Sequence, residues 1–184
     1  MAKIKMALAR PPHEGRRFAN TAISIEQALP ASRVSLRAGS NELAELTKPL
    51  GFKLPTRPGT SKIKSSLSAL WLGPDEWLLI NSNPKTVSAL MEKLDTIKCS
   101  NVDISHRNTA IIISGKAVED VLNAGCPRDL SLDAFPPGSC SRTLFGKIEI
   151  ILWRLTDDRF HIEVWRSYSE YLWAYLLDAA KDTG

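Results

Sequence analysis

The sequence pattern that most constrains the fold is a strand-turn-strand-helix motif that occurs twice, 82 residues apart from Leu70 to Leu152. In the first copy, a Leu-Trp pair precedes an acidic turn and the apolar run 77–80. In the second copy, a Leu-Trp pair precedes two aspartates and the alternating strand 159–166. Each hairpin leads directly into a helical segment. An internal repeat of this length predicts two copies of one supersecondary unit, arranged about a pseudo-twofold axis.

The segments around the first hairpin complete a βαββα order. A short strand over 34–36 precedes a helix that is capped by Ser40 or Asn41 and ends at Gly51. After the hairpin, residues 83–84 open a second helix whose apolar side chains follow the i, i+3, i+4, i+7 spacing.

The second half of the chain repeats this order. A strand over 109–114 precedes a helix that ends at 125–127, and the run 142–154 is typical of a strand pair. After the last strand, Ser167 and Glu170 have the spacing of a capping box for the final helix. That helix carries one apolar stripe with three tyrosines.

These elements predict a single α+β domain over residues 21–184, made of two βαββα (ferredoxin-like) repeats over about 21–98 and 99–184. Both repeats are expected to cover their sheets with helices.

The positive charge of the chain is confined to its N-terminus. Of 24 basic and 20 acidic residues, five basic residues and one acidic residue lie within 1–17, which leaves 19 of each in the remainder. Pro11 and Pro12 disfavour a helix through this segment. We therefore expect a basic, flexible arm over 1–20 and a neutral folded body.

The neutral body argues against nucleic acid as a partner, since such proteins carry clustered basic patches. The longest uncharged stretch, 65–74, is ten residues long, whereas a membrane-spanning helix needs about 18 or more. Cys99, Cys126 and Cys140 form no C-x-x-C pair, and unpaired cysteines are typical of a reducing compartment. The sequence thus predicts a cytoplasmic protein without a nucleic-acid or membrane partner.

No pattern in the chain predicts a catalytic, cofactor-binding or metal site. Glycine-rich phosphate loops are missing from the sequence, and its histidines lack ligand spacing. Asp103, Ser105 and His106 are too close along one strand to converge as a triad. Glu149 and Glu163 alternate with apolar neighbours, which predicts a solvated sheet face for both carboxylates.

Aromatic and arginine side chains in the second half predict a docking surface. Trp165 and Trp173 lie on strand and helix faces opposite faces that are already apolar, so each needs a further surface for burial. His106 is expected to be exposed or at an interface. The candidate interface comprises His106, Arg107, Arg154, Trp165, Arg166 and Trp173.

Several short motifs in combination resemble the gamma subunit family of heterotetrameric sarcosine oxidase. They are residues 35–37, LWLGPDEW over 70–77, Asp103 with SHRNTA over 105–110, GCPRDL over 125–130, the positions Phe135, Pro136, Gly138, Cys140, Arg142, Thr143, Phe145 and Gly146, IEVWRSY over 162–168, and Tyr171 with Trp173. Arg128 departs from the family pattern, which has an apolar residue there.

The resemblance implies a fold similar to the folate-binding domain of aminomethyltransferases, such as the glycine cleavage T-protein. It implies an oxidase that converts sarcosine, tetrahydrofolate and O₂ to glycine, 5,10-methylenetetrahydrofolate and H₂O₂. It also implies alpha, beta and delta subunits as partners. FAD, FMN, NAD and tetrahydrofolate are then held by other subunits, and this chain has a non-catalytic assembly role.

Two other hypotheses remain open from the sequence. One is the matching subunit of a related N-methyl amino acid dehydrogenase, such as N-methylglutamate dehydrogenase. The other is a stand-alone folate-binding protein that retains the pocket of the fold.

Overall fold

The computed structural model describes residues 12–83 and 86–183, which form two antiparallel sheets and four α-helices. The strands are β1 (Arg17–Ala19), β2 (Ser24–Gln27), β3 (Ser32–Arg37), β4 (Ser61–Lys64), β5 (Leu67–Gly73), β6 (Glu76–Asn81), β7 (Ser100–Asp103), β8 (Asn108–Ser114), β9 (Cys140–Phe145), β10 (Ile148–Thr156) and β11 (Arg159–Trp165). The helices are α1 (Leu43–Leu50), α2 (Val87–Leu94), α3 (Val118–Asn123) and α4 (Ser169–Ala180).

The two sheets pack face to face between two layers of helices. The first sheet has the order β4-β5-β6-β3-β7, and the second has the order β1-β2-β8-β11-β10-β9. Helices α1 and α2 cover the outer face of the first sheet, and α3 and α4 cover that of the second. A third apolar cluster, which includes Leu70, Ile80 and Trp153, fills the space between the sheets. The predicted α+β class is confirmed.

Each repeat gives its leading strand to the sheet of the other repeat. Strand β2 opens the first repeat but pairs with β8, and β7 opens the second repeat but pairs with β3. The first sheet, read as β4-β5-β6-β3-β7, therefore has the counterpart β9-β10-β11-β8-β2 in the second. The predicted repeat bounds, 21–98 and 99–184, do not coincide with the sheets, because each sheet contains strands from both.

A glycine permits the close approach of the exchanged strand β2 to the second sheet. Gly115 follows β8 with φ of +130°, and a Cβ there would lie 2.2 Å from the carbonyl oxygen of Ala22. Any larger residue would displace the backbone that leads into β2.

The two hairpins also share an irregularity that fixes their alignment. The β5–β6 pairing shifts between Trp71 and Gly73, and the β10–β11 pairing shifts between Arg154 and Thr156. Equivalent residues therefore lie 83 positions apart, as from Trp71 to Arg154. This value agrees with the predicted offset of about 82, but the two Leu-Trp pairs themselves are displaced by one residue and face opposite sides of their sheets.

The N-terminal segment from Pro12 onward is part of the folded domain, so the predicted arm over 1–20 was wrong in this part. Strand β1 pairs with β2, and His13 is fully buried with its ring stacked 4.9 Å from the ring of Trp173. Arg16 forms an ion pair with Glu170 at 2.8 Å. Residues 1–11 lie outside the described residues, as do their basic side chains.

The predicted capping box at the start of α4 was also wrong. A 3₁₀ turn over Arg166–Tyr168 precedes the helix, whose N-terminus has no side-chain cap. Instead, the hydroxyl of Ser169 donates to the carbonyl oxygen of Arg166 at 2.8 Å. Glu170 is used by Arg16 rather than by the helix terminus.

The first helix follows its predicted end more closely than its predicted start. Gly51 ends α1 with φ of +77°, and its N–H donates to the carbonyl of Thr47, which confirms the predicted stop. The helix begins at Leu43 after Glu42 without a side-chain cap, so neither Ser40 nor Asn41 has the predicted role. Helix α2 begins at Val87, and Pro84 lies outside the described residues.

Candidate functional site

Cys140 is buried between the two repeats and is not activated as a nucleophile. Its Sγ lies 3.3 Å from the carbonyl oxygen of Thr60 and 3.4 Å from that of Trp71. Burial raises the pKa of the Cys140 thiol to about 12. Within 12–83 and 86–183, no cluster of three His, Cys, Asp or Glu side chains has the geometry of a metal site. In the same residues, no helix is long and apolar enough to cross a membrane.

A buried group of charged side chains links the two sheets. Arg33 on β3 donates from Nε to both carboxylate oxygens of Glu163 on β11, at 2.9 and 2.7 Å. His161 Nε2 lies 2.8 Å from Glu163 Oε1, and Asn108 Nδ2 lies 3.5 Å from Oε2. We name Arg33, His161 and Glu163 the ionic clamp. It joins a strand of the first repeat to a strand of the second.

The prediction that Glu163 lies on a solvated face was wrong, since the residue is 1% exposed. Alternation along β11 correctly separates Ile162 and Val164 from Glu163. The face that carries Glu163 is covered by the first sheet, and nothing in the local pattern of β11 reveals that second layer. Glu149, in contrast, is exposed as predicted.

The clamp keeps Glu163 ionised. Burial disfavours the charged carboxylate, but the hydrogen bond with His161 and the charge of Arg33 outweigh burial and lower the pKa of Glu163. An ionised carboxylate only accepts hydrogen bonds, so Nε2 of His161 carries a proton. Both oxygens of Glu163 are thereby used within the chain.

Arg154 is fully buried and holds a loop of the second repeat, so its assignment to the interface was wrong. Its Nη1 donates to the carbonyl oxygens of Leu130 at 2.6 Å and Phe135 at 3.0 Å, and its Nη2 donates to Glu119 at 2.6 Å. The guanidinium lies 4.8 Å from the ring centroid of Phe160. Arg154 therefore stabilises the loop over 130–135 from inside the domain and is not available to a partner.

Trp173 was wrongly assigned to the interface as well. It is 6% exposed because the turn that contains His13 lies over it. The further surface that the sequence analysis required for Trp173 is supplied by the chain itself. Burial lowers the pKa of His13, although Glu170 nearby opposes this effect.

Three side chains form an exposed platform at the end of β11, which we name the aromatic shelf: Arg107, Trp165 and Tyr168. Trp165 and Tyr168 are each 43% exposed and stack with ring centroids 5.9 Å apart. The Arg107 guanidinium lies 5.3 Å from the Trp165 ring centroid. Stacked aromatic rings with an arginine are the side chains most enriched at energetic centres of protein interfaces.

The backbone places the shelf residues next to each other. Asn108 pairs with Trp165 in the β8–β11 ladder, which brings Arg107 beside the end of β11. The N–H of Arg166 donates to the carbonyl oxygen of Arg107 at 2.8 Å. Tyr168 follows in the 3₁₀ turn before α4.

Of the six predicted interface residues, the structure therefore places His106, Arg107, Trp165 and Arg166 at the surface and buries the other two. Tyr168 was missed as a candidate. The spacing of Tyr168, Tyr171 and Tyr175 predicted one core-facing stripe, but Tyr168 and Tyr171 are exposed. Tyr168 precedes the first residue of α4, so helical periodicity does not apply to it.

The sequence model of the "Sarcosine oxidase, gamma subunit family" matches residues 38–182. A sarcosine oxidase subunit gamma from Corynebacterium sp. (strain P-1) is 31% identical over 156 residues, which cover 83% of this chain and 77% of that protein. A sarcosine oxidase subunit gamma from Arthrobacter sp. is 29% identical over 162 residues, which cover 86% of this chain and 80% of that protein.

Solved structures agree with these relatives. A chain of heterotetrameric sarcosine oxidase from Corynebacterium sp. U-96, in complex with pyrrole 2-carboxylate, superposes with a TM-score of 0.82 at 26% identity and covers 92% of this chain and 89% of that one. The glycine cleavage system aminomethyltransferase T from Bartonella henselae superposes with a TM-score of 0.65 at 12% identity, over 85% of this chain and 46% of that one. The second match concerns the fold alone, and it confirms the predicted similarity to aminomethyltransferases.

Proposed function

Because this chain belongs to the sarcosine oxidase gamma subunit family, we propose that it acts as the gamma subunit of a heterotetrameric sarcosine oxidase with a structural, non-catalytic role in assembly. The observation that carries this proposal is the contrast between its buried and exposed functional groups. The charged groups of the ionic clamp and of Arg154 make their hydrogen bonds within the chain, whereas the side chains of the aromatic shelf are exposed to solvent.

The chemistry of the complex is then carried elsewhere. Sarcosine, tetrahydrofolate and O₂ are converted to glycine, 5,10-methylenetetrahydrofolate and H₂O₂, and in this proposal the alpha, beta and delta subunits bind FAD, FMN, NAD and tetrahydrofolate. This chain supplies no catalytic group, cofactor ligand or metal ligand. We place the complex in the bacterial cytoplasm, consistent with three free cysteines.

Co-expression with and without the other three subunits tests the assembly role. We expect a stable complex that contains this chain and oxidises sarcosine, and a loss of assembled enzyme when this chain is omitted. Failure of the chain to co-purify with the other subunits would contradict the proposal. Faster turnover of N-methylglutamate than of sarcosine would assign the chain to the related dehydrogenase.

Calorimetric titration of the purified full chain with tetrahydrofolate tests the non-catalytic part. We expect no binding in the micromolar range. Micromolar affinity would identify a folate-binding chain instead.

A further inference from the structure

We propose that the aromatic shelf is the receptor for an aspartate or glutamate carboxylate on another subunit of the oxidase, with Arg107 as its ligand and Trp165 and Tyr168 as its apolar wall. This inference rests on the proposed function, because it requires that the chain assembles with other subunits.

Arg107 carries a positive charge that no carboxylate of the described chain balances. Several other arginines of the chain are matched by its own carboxylates, among them Arg33 by Glu163, Arg142 by Glu76 and Arg154 by Glu119. Among the residues that the structure describes, no carboxylate pairs with Arg107. An arginine held at an aromatic surface without a carboxylate of its own is complementary to an acidic group from outside.

Arg107 also has hydrogen-bond donors that remain available on its two Nη atoms. Its Nε donates to Asn108 Oδ1 at 3.1 Å, and its guanidinium carbon lies 5.3 Å from the Trp165 ring centroid. Neither Nη atom takes part in a hydrogen bond with the described part of the chain. The two Nη atoms therefore keep N–H groups that can make two parallel bonds to a carboxylate.

The aromatic shelf is also rigid. The N–H of Arg107 donates to the carbonyl of Ile104 at 3.0 Å, and its own carbonyl accepts from Arg166 N–H. Asn108, which orients Nε, is 5% exposed and lies at the edge of the ionic clamp. Because these groups are already ordered, little conformational entropy is lost when a ligand binds.

The neighbouring surface defines the rest of the ligand. Arg107 and Trp165 line a cleft between the two sheets together with Ser35. Val102 pairs with Ser35 across the β3–β7 ladder, so both side chains point to the same face of the sheet, and Val102 is 52% exposed. The expected ligand is a loop that presents its carboxylate to Arg107 and an adjacent apolar side chain to Trp165 and Val102.

The test uses the co-expressed complex with three variants of this chain. Arg107→Ala should raise the dissociation constant for the other subunits by about 30-fold or more, as expected for loss of one partner of a desolvated charge pair. Arg107→Lys should cause a smaller loss, because a point charge replaces the planar fork. Arg57→Ala, at an exposed arginine in the loop before β4, should assemble like the wild type.

A chemical readout identifies the carboxylate without reference to affinity. In the Arg107→Lys complex, a water-soluble carbodiimide should join the new amine to the partner carboxylate as an amide, and the carbodiimide takes up the lost water. Mass spectrometry of the linked peptides should then report an aspartate or glutamate of another subunit.

The outcomes separate this inference from the proposed function. If the wild-type chain fails to assemble, both the assembly role and the carboxylate receptor are wrong. If it assembles and Arg107→Ala assembles equally well, only the receptor is wrong. A cross-link from position 107 confined to this chain would also overturn it. Equal thermal midpoints of the wild-type and Arg107→Lys chains ensure that any loss of affinity reflects the interface.

Discussion

The two repeats share one strand order but carry different chemistry at equivalent positions. With the 83-residue alignment, Trp71 of the first repeat corresponds to Arg154 of the second, and Ile80 corresponds to Glu163. Ile80 belongs to the apolar cluster between the sheets, where its counterpart Glu163 is part of the ionic clamp. The first repeat contributes one buried charge to the clamp, Arg33, whereas the second contributes Glu163 and His161, a further buried charge at Arg154 and, at its rim, the aromatic shelf.

This asymmetry shows how a duplicated fold can separate stability from docking. Trp165 ends β11 at the surface, and its counterpart by the same alignment is Ser82, which is also exposed. The backbone framework is common to both repeats, so the differences lie in side chains at a few equivalent positions. Changes at these positions should therefore affect the two repeats in different ways.

The largest expected effect comes from breaking the ionic clamp. Glu163→Leu leaves Arg33 buried without its partner, and we expect the free energy of unfolding to fall by about 3–5 kcal/mol. The double variant Arg33→Met/Glu163→Leu should recover most of this loss, because both charges are gone. Urea denaturation of the full chain measures both values. A loss below about 1 kcal/mol in the single variant would show that the clamp does not link the sheets.

A smaller loss is expected at the other buried charge of the second repeat. Arg154→Met leaves the carbonyl groups of Leu130 and Phe135 without their donor, and we expect a loss of about 2–4 kcal/mol. Glu119 is partly exposed and can be solvated after the change. Trp71→Met, at the equivalent position, is the matched control. Equal rates of proteolysis within 130–135 in both variants would contradict the proposal that Arg154 holds this loop in place.

The stability of the chain at low pH should depend on Glu163 of the second repeat and not on its counterpart in the first repeat, Ile80. The pKa of Glu163 is lower in the folded chain than in the unfolded chain, so its stabilisation is complete above the unfolded value near 4.3 and is lost as the pH falls through the folded value. Glu163→Gln should flatten this acid limb of the unfolding curve. Ile80→Val should leave its slope unchanged, since that residue has no charge. An identical slope in wild type and Glu163→Gln would mean that another group controls the acid limb.

The limits of sequence-based prediction follow from where each signal lies. Local patterns predicted the hairpins, the stop at Gly51 and the α+β class, because turn residues and periodicity act within a few positions. The exchanged strands β2 and β7 were missed, since their pairing partners lie in the other repeat. The Leu-Trp match predicted an offset of about 82. The pairing register gives 83 and shows that the two Leu-Trp pairs lie on opposite faces of their sheets.

The candidate site was predicted in part for the same reason. Trp165 and Arg107 lie at the surface, as expected of interface residues, and their assignment to an interface remains a prediction. Trp173 and Arg154 were misassigned because their partners, the turn at His13 and the loop at 130–135, are distant in sequence. Burial by a remote segment leaves no trace in the local pattern of the residue that it covers.

The smallest effect on folding is expected for Trp165→Ala, and this variant tests docking through the second repeat most directly. The side chain is 43% exposed, so we expect the unfolding free energy of the chain alone to change by less than about 1 kcal/mol. The same variant should bind the other subunits at least about 10-fold more weakly, because it removes an aromatic anchor of the shelf. Ser82→Ala, the matched position of the first repeat, should change neither quantity. Thermal destabilisation of Trp165→Ala with unimpaired assembly would place Trp165 in the framework of the fold and contradict docking through the second repeat.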